Sequence, residues 1–357
     1  MRNHHAIRLV SPLALASLSL LAACAPVPPA ELLPEPDLSP PALLSASPRD
    51  SRGFVLAFDE EVSPVASSFG LEPSKAGKPL PGAAGRELEL TFPEEQVPGL
   101  DYELAGEVKD SHGNRTRFVL SFVGFNARPP SLRLSEIQTG KNSSSRNPHR
   151  DFVELHALSA GNLGGVELAW TSTAKAFTYR FPPAEVQEGD FVVLHLAPEG
   201  LPNELDETGN DAAASGGIDS SPTGRDFWSK AGGLPDATGI VCLRSRPGGS
   251  MLDALLYAEE GKTGAIPEGK LAAAAAEAVK SEAWAQSGES LCYEDSFAWK
   301  PSSSRSICRS AAVGDPGKGE WYVSGSGMQS PGARNPGPDA VAPKAGKESA
   351  KPAGKGR

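Results

Sequence analysis

Cysteine is scarce in this chain, with four in 357 residues, and the four do not fall at the spacings of a structural zinc site. Positive charge is short as well: 34 Lys and Arg stand against 44 Asp and Glu, a formal net charge of −10. That balance argues against nucleic acid as a main partner, because phosphate binding needs a basic face. Beyond residue 24 there is no run of about 20 apolar residues, so no membrane-spanning helix is expected there. No G-x-S-x-G elbow, no H-E-x-x-H helix and no phosphate-cradling glycine loop ahead of a helix occurs. The expectation is therefore no catalytic residue, no resident metal and no cofactor.

What is abundant is punctuation. Glycine (38) and proline (33) together are well above average usage, which favours short strands and turns over long helices. The first 23 residues carry Arg2 and Arg8, then an uncharged apolar run from Leu9 to Ala23. A charged start, a short apolar core and small residues at the end describe a secretory signal peptide over 1–23. The sequence Leu21-Ala22-Ala23-Cys24 resembles the lipobox of bacterial lipoproteins. That resemblance implies palmitate-type acylation of Cys24, membrane attachment and a place in the bacterial cell envelope. Ala25 stands where some Gram-negative lipoproteins carry an inner-membrane retention Asp, which leans toward the outer membrane. Two or three acyl chains on one residue anchor firmly where a single chain binds only reversibly.

Residues 24–42 form a proline-rich tether, a composition that favours extended polyproline II. From 43 to 126 the pattern is repeated short strands. Leu88, Leu90 and Phe92 alternate with Glu87, Glu89 and Thr91, and Tyr102, Leu104 and Val108 alternate with polar or small residues. Asp110-Ser111-His112-Gly113-Asn114 reads as a tight turn. Ser47-Pro48, Leu90-Thr91-Phe92-Pro93 and the Pro98-Gly99-Leu100-Asp101-Tyr102 step are similar to bacterial Ig-like domains of the S-layer type. The resemblance implies a spacer or adhesive β-sandwich, with Tyr102 as a corner residue whose hydroxyl bonds nearby backbone.

After the stiff Ala127-Arg128-Pro129-Pro130 hinge, 131–336 runs through Leu132-Arg133-Leu134-Ser135-Glu136-Ile137, Asp151-Phe152-Val153-Glu154-Leu155-His156 and Val166-Glu167-Leu168-Ala169-Trp170. Ile240-Val241-Cys242-Leu243, residues 248–257 and Ser330-Pro331-Gly332-Ala333-Arg334-Asn335 follow. This succession resembles the lamin tail domain, an Ig-like β-sandwich, although Ala157 and Ala169 stand where that family usually has Asn and Gly. Two stretches near 198–237 and 258–289 read as insertions, and Leu271 to Ala278 is an alanine-rich short helix. The fold class expected is thus all-β, two Ig-like β-sandwiches in tandem, the second with long insertions. Residues 337–357 form a basic tail without core-forming residues, expected to be disordered.

Several constellations invite chemistry. Glu154 and His156 share a strand face, and His195 lies on another strand, so the three are a candidate zinc set. Glu204, Asp206, Glu207 and Asp211 form an acidic cluster with calcium-type ligands but no EF-hand spacing. Cys292 and Cys308 are expected to pair as a disulfide, worth about 3 kcal/mol for a loop of that size, while Cys242 reads as a buried hydrophobe. Trp228 and Trp284 are candidate aromatic anchors within the insertions. The leading functional expectation is a membrane-anchored, non-enzymatic binding or structural module that meets a protein or envelope polymer. The alternatives are a secreted metal-dependent phosphoesterase or nuclease with its site in the insertions, and a purely mechanical spacer.

Overall fold

The computed structural model describes residues 37–140, 149–310 and 316–341. The signal segment, Cys24, most of the tether and the tail from 342 onward lie outside these residues. The chain divides into Met1–Ser39 and one body from Pro40 to Arg357. All described strands and the single helix belong to the latter, which is all-β in sandwich-like sheets.

The first seven strands are β1 (Leu43–Pro48), β2 (Gly53–Pro64), β3 (Gly70–Glu72), β4 (Leu80–Pro81), β5 (Gly85–Thr91), β6 (Asp101–Lys109) and β7 (Arg115–Val123). One layer runs β1-β2-β5-β4 and the other β3-β6-β7. The end of β2 crosses between layers, Ser63 and Pro64 pairing with Lys109 and Val108, so a single bent strand closes one edge. Phe54, Leu56, Phe58, Leu88, Leu90, Phe92, Tyr102, Leu104 and Val108 fill the interior. The period of two seen in the sequence is therefore the wet–dry alternation of a sandwich. The Tyr102 hydroxyl accepts a 2.9 Å bond from the Val97 amide, and Asp110 Oδ1 accepts from the His112 and Asn114 amides.

The remaining strands are β8 (Leu132–Gln138), β9 (Phe152–Ala157), β10 (Gly161–Asn162), β11 (Glu167–Thr171), β12 (Ala176–Arg180), β13 (Glu185–Val186) and β14 (Phe191–Leu196). They continue with β15 (Arg225–Ser229), β16 (Gly239–Arg244), β17 (Met251–Glu259), β18 (Phe297–Trp299), β19 (Ile307–Arg309) and β20 (Trp321–Val323). A five-stranded sheet, β12-β11-β16-β17-β18, faces a six-stranded sheet, β15-β14-β9-β8-β19-β20, and β10 and β13 make a separate ribbon. Leu134, Ile137, Val153, Leu155, Val192 and Leu194 meet Leu168, Trp170, Val241, Leu243 and Leu255 in one core. Asp253 links the layers, accepting from the Leu134 amide at 2.7 Å and from Arg309 at 2.7 and 2.8 Å.

Both stretches read as insertions are structural. The first contains β15, which adds in parallel to β14. A parallel neighbour requires a long connection, and that accounts for the polar residues before it. The second contains the helix α1 (Lys270–Lys280), which lies on β11, β16 and β17. Ala169, Cys242 and Ala254 form one cross-strand row of small residues, so the alanine face of α1, with Ala275 and Ala278 fully buried, packs close to the sheet. Arg244 fastens it with two bonds to Glu277, 2.6 and 2.7 Å.

Two expectations are corrected here. The Cys292–Cys308 disulfide is not formed, and Cys242, Cys292 and Cys308 are all free thiols. Cys308 is on β19 of the six-stranded sheet, whereas Cys292 bridges Ala265 beside the other sheet and hydrogen-bonds Asp295 at 3.2 Å. Nor is Trp284 a surface anchor. It is 2% exposed, its indole N–H donating to the Asp295 carbonyl. Cys242 is buried as expected, and burial pushes its thiol up to about 12.

The junction that reads as a hinge is clamped. Asn126 donates to the carbonyls of Asn162 and Gly164, and Arg180 forks onto Asp101 at 2.7 and 2.5 Å. Gly99, at φ +74°, sits so close that a Cβ there falls 2.2 Å from the Gly165 nitrogen. Replacing Gly99 by Ala is expected to lower stability by about 2 kcal/mol or more. Gly113→Ala, at φ +92° with open space around it, is expected to cost only the backbone penalty of about 1 kcal/mol. Denaturant unfolding of the two variants measures the difference, and equal costs contradict a backbone-to-backbone clamp.

Candidate functional site: an arginine-lined cleft on the outer sheet face

Alternation along β8, β9 and β14 sends every second side chain to the face of the six-stranded sheet away from the core. The registers arrange these side chains in three rows. Arg133, His156 and Phe191 are successive cross-strand partners in the first. The second runs Tyr322, Cys308, Glu136, Glu154, Val193 and Asp226. Gln138, Phe152, His195 and Trp228 make the third.

The second and third rows are covered. A strap of chain beyond β20 crosses the second: the Ser330 amide and hydroxyl donate to Glu136 Oε2 at 3.1 and 2.9 Å, and the Gly332 amide donates to Glu154 Oε2 at 2.7 Å. Ser306 donates a further short bond to Glu136. Both carboxyls are fully buried and stand directly opposite each other across the β8–β9 ladder, where like charges repel. Burial raises Glu136, and burial together with the neighbouring Glu136 charge raises Glu154 well above the usual carboxylate range. Both shifts favour keeping a proton on the pair to higher pH than exposed carboxyls would. Gly332, at φ +75°, touches Ser221 so closely that a Cβ falls 2.2 Å from its hydroxyl. The strap is therefore held from both sides.

The loop before β15 meets one end of the third row at Trp228, and Gly140 and Ser302 bond Gln138 at the other. Trp228 stacks on His195 with centroids 4.2 Å apart, and His195 bonds Asp226 at 2.9 Å. Trp228 is thus half-buried in local packing, its indole N–H on Ser215. The acidic cluster is spent on the same loop. Glu204 accepts from the amides of 199, 200 and 201, Asp206 from Trp228, Glu207 from Ser215 and Asp226, and Asp211 from Ala213. The proposed zinc set is likewise not brought together. Glu154 lies under the strap and His195 under the loop, while His156 stacks on Phe191 at 4.8 Å in the row that remains open.

That row opens into a cleft of about 660 Å³. Arg133 and His156 enter from the strands, Arg309 and Tyr322 from β19 and β20, and Arg334 and Asn335 from the end of the strap. Asn335 is fixed by donating to the Ser135 carbonyl at 3.0 Å. Arg309 is neutralised by Asp253 and Glu320. Arg133 and Arg334 form no ion pair with a carboxylate among the described residues, and the lining contains no Asp or Glu. His156 is pushed down, by burial first and then by the charges of Arg133 and Arg334, so it is neutral at pH 7. Burial, then Cys308 and Glu136, push the Tyr322 hydroxyl up, so it stays a donor. In a chain of net −10, this is a concave, water-accessible, electropositive spot.

Residues 130–323 match the family model described as a protein second domain, TP_1001_2nd. The chain belongs to that family. An uncharacterized protein of Treponema pallidum (strain Nichols) is 30% identical over 161 residues, 44% of this chain. The match covers 39% of the relative, so the chain spans about two fifths of its length. A DUF4876 family protein from Bacteroides thetaiotaomicron VPI-5482, known from its crystal structure, aligns over 52% of this chain and 61% of its own. The identity there is 10% and the TM-score 0.20, too low to equate the folds. The matched family segment contains the whole six-stranded sheet, whereas the strap lies just beyond it.

The cleft residues other than His156 were not singled out from the sequence. Arg133 sits in an alternating strand, pointing away from the core with no partner in sight, and that was the available signal. Arg334 is about two hundred positions away, and only the strap's path brings it to the same place.

The buried carboxyl pair has a measurable consequence. A raised folded pKa means the folded state binds the extra proton, so stability falls as pH rises above the unfolded value, by up to about 1.4 kcal/mol per pH unit. Glu154→Gln is expected to match the parent near pH 4 and to be the more stable by about 1 kcal/mol or more at pH 8. A gap that does not widen between pH 5 and 8, in thermal or urea unfolding, contradicts a protonated pair.

Proposed function

We propose that this protein is a lipid-anchored component of the bacterial envelope whose second β body is a non-enzymatic, lamin-tail-like binding module. The observation that carries the binding part is the formed, arginine-lined cleft at the open end of an otherwise covered sheet face. Glu136 and Glu154 elsewhere on that face are buried beneath the strap, and the first row, with Tyr322, is what the cleft exposes. This supports recognition in the cleft over recognition in the two insertions, which serve as scaffold. It also favours binding over hydrolysis, since the acidic cluster Glu204, Asp206, Glu207 and Asp211 is occupied by backbone amides.

The anchoring part rests on Leu21-Ala22-Ala23-Cys24 and on the proline-rich stretch that separates it from the first strand. Attachment to the outer membrane through Cys24 holds the β bodies at the envelope, where a ligand from the envelope itself is within reach. Metabolic labelling of cells with an alkyne-tagged palmitate analogue tests this. The wild-type chain is expected to take the label and to fractionate with membranes, while Cys24→Ser loses both. A mature chain recovered unlabelled in the medium overturns the anchored reading.

A further inference from the structure

We infer that the cleft is a receptor site for an oxyanion-bearing small molecule of acidic-sugar size, held by the guanidinium groups of Arg133 and Arg334. This deepens the binding reading above and rests on it. The first ground is charge. Four other arginines of the second body are bound to carboxylates: Arg150 to Glu199, Arg180 to Asp101, Arg244 to Glu277, Arg309 to Asp253 and Glu320. Arg225 is bound to the carbonyls of Glu207 and Gly209, and Arg246 and Arg305 lie outside the cleft. Arg133 is half-buried and Arg334 exposed, each without such a partner among the described residues. Holding two unpaired cations against one imidazole is unfavourable, and an oxyanion between them removes the penalty. Planar guanidinium forks suit phosphate and carboxylate oxygens in pairs.

The second ground is shape. At about 660 Å³ the cleft falls in the range of small-molecule sites, roughly 300–1,000 Å³, and is far larger than a bare inorganic ion needs. Neutral hydrogen-bonding groups, the Tyr322 hydroxyl and the Asn335 amide, stand beside the flat His156–Phe191 stack. That mixture of flat ring and polar donors suits a hydroxylated ring that carries one acidic group. The third ground is the support. Arg133 is on a strand and Arg334 follows a strap pinned through Gly332 and Asn335, so the backbone that carries each charge is fixed in advance.

His156 adds a signature that a structural role does not produce. An anion beside it offsets the two arginine charges that, after burial, keep it neutral. Binding therefore takes up a proton, and affinity rises as pH falls from 8 toward 6.

Isothermal titration calorimetry on the purified full-length protein tests the proposal, with glucose 1-phosphate, glucuronate, inorganic phosphate and glucose as probes. Glucose 1-phosphate or glucuronate is expected to bind, whichever does so naming the oxyanion, with inorganic phosphate weaker and glucose silent. Arg133→Gln and Arg334→Gln are each expected to weaken binding at least about tenfold. Arg305→Gln, an exposed arginine outside the cleft, leaves it unchanged, and unaltered melting temperatures separate lost binding from lost fold. His156→Gln is expected to flatten the pH dependence. Glucose binding that is indifferent to the arginine variants overturns the oxyanion assignment but leaves the cleft a binding site. Silence from every probe, or wild-type affinity in both arginine variants, overturns the proposal, and the palmitate labelling is unaffected by any of these results.

Discussion

The hydrogen bonds from Ser330 and Gly332 to the buried carboxyls of Glu136 and Glu154 are what the rest of the second β body's outer face depends on. A six-stranded sheet packed on one side has a second face to account for, and here the cover is irregular chain. Irregular chain cannot satisfy its own backbone, so buried partners must be supplied. Two carboxylates supply them, at the cost of desolvating like-charged groups on adjacent strands. Their raised affinity for a proton, together with the bond from Ser306, lowers that cost. The strap's end then delivers Arg334 and Asn335 to the mouth of the cleft.

The same logic of covering recurs on the other sheet with different chemistry. There the outer face is a row of small apolar residues and the cover is an alanine-rich helix, fastened at its rim by Arg244 and Glu277. One face is closed by dispersion and close approach, the other by hydrogen bonds to buried carboxyls. The apolar closure lays α1 directly on its row, while the polar closure leaves the open cleft. At the junction with the first sandwich, glycines at 99, 164 and 165 allow backbone to meet backbone. The two β bodies are joined by contacts there, not only by a connecting segment.

Much of this architecture was legible in the sequence where a residue's neighbours along the chain determine its side. The alternations through Leu88–Phe92 and Val153–Leu155, the Asp110–Asn114 turn and the helix near Leu271 are of that kind. The misreadings share a cause. Cys292 and Cys308 are sixteen positions apart yet belong to different layers, because β18 joins one sheet and β19 the other. The residues near 198–237 look like a loop because a parallel edge strand needs a long approach. Trp284 looks like an anchor because nothing local reveals that Asp295 receives its N–H. Arg133, with Arg334 about two hundred positions away, is the extreme case, since a site assembled by a terminal strap leaves no spacing to read.

Hydrogen–deuterium exchange of the Ser330 and Gly332 amides is the most direct test of this central role. If the buried carboxyls pin the strap, these two amides exchange as slowly as the β8 and β9 ladder, although they belong to no strand. Substitution of Glu136 by Ala then releases the Ser330 amide, and substitution of Glu154 by Ala the Gly332 amide, while the ladder stays protected. Rapid exchange of both amides in the unmodified protein, at rates typical of exposed turns, contradicts the account, because the wall of the cleft that carries Arg334 then has no fixed position.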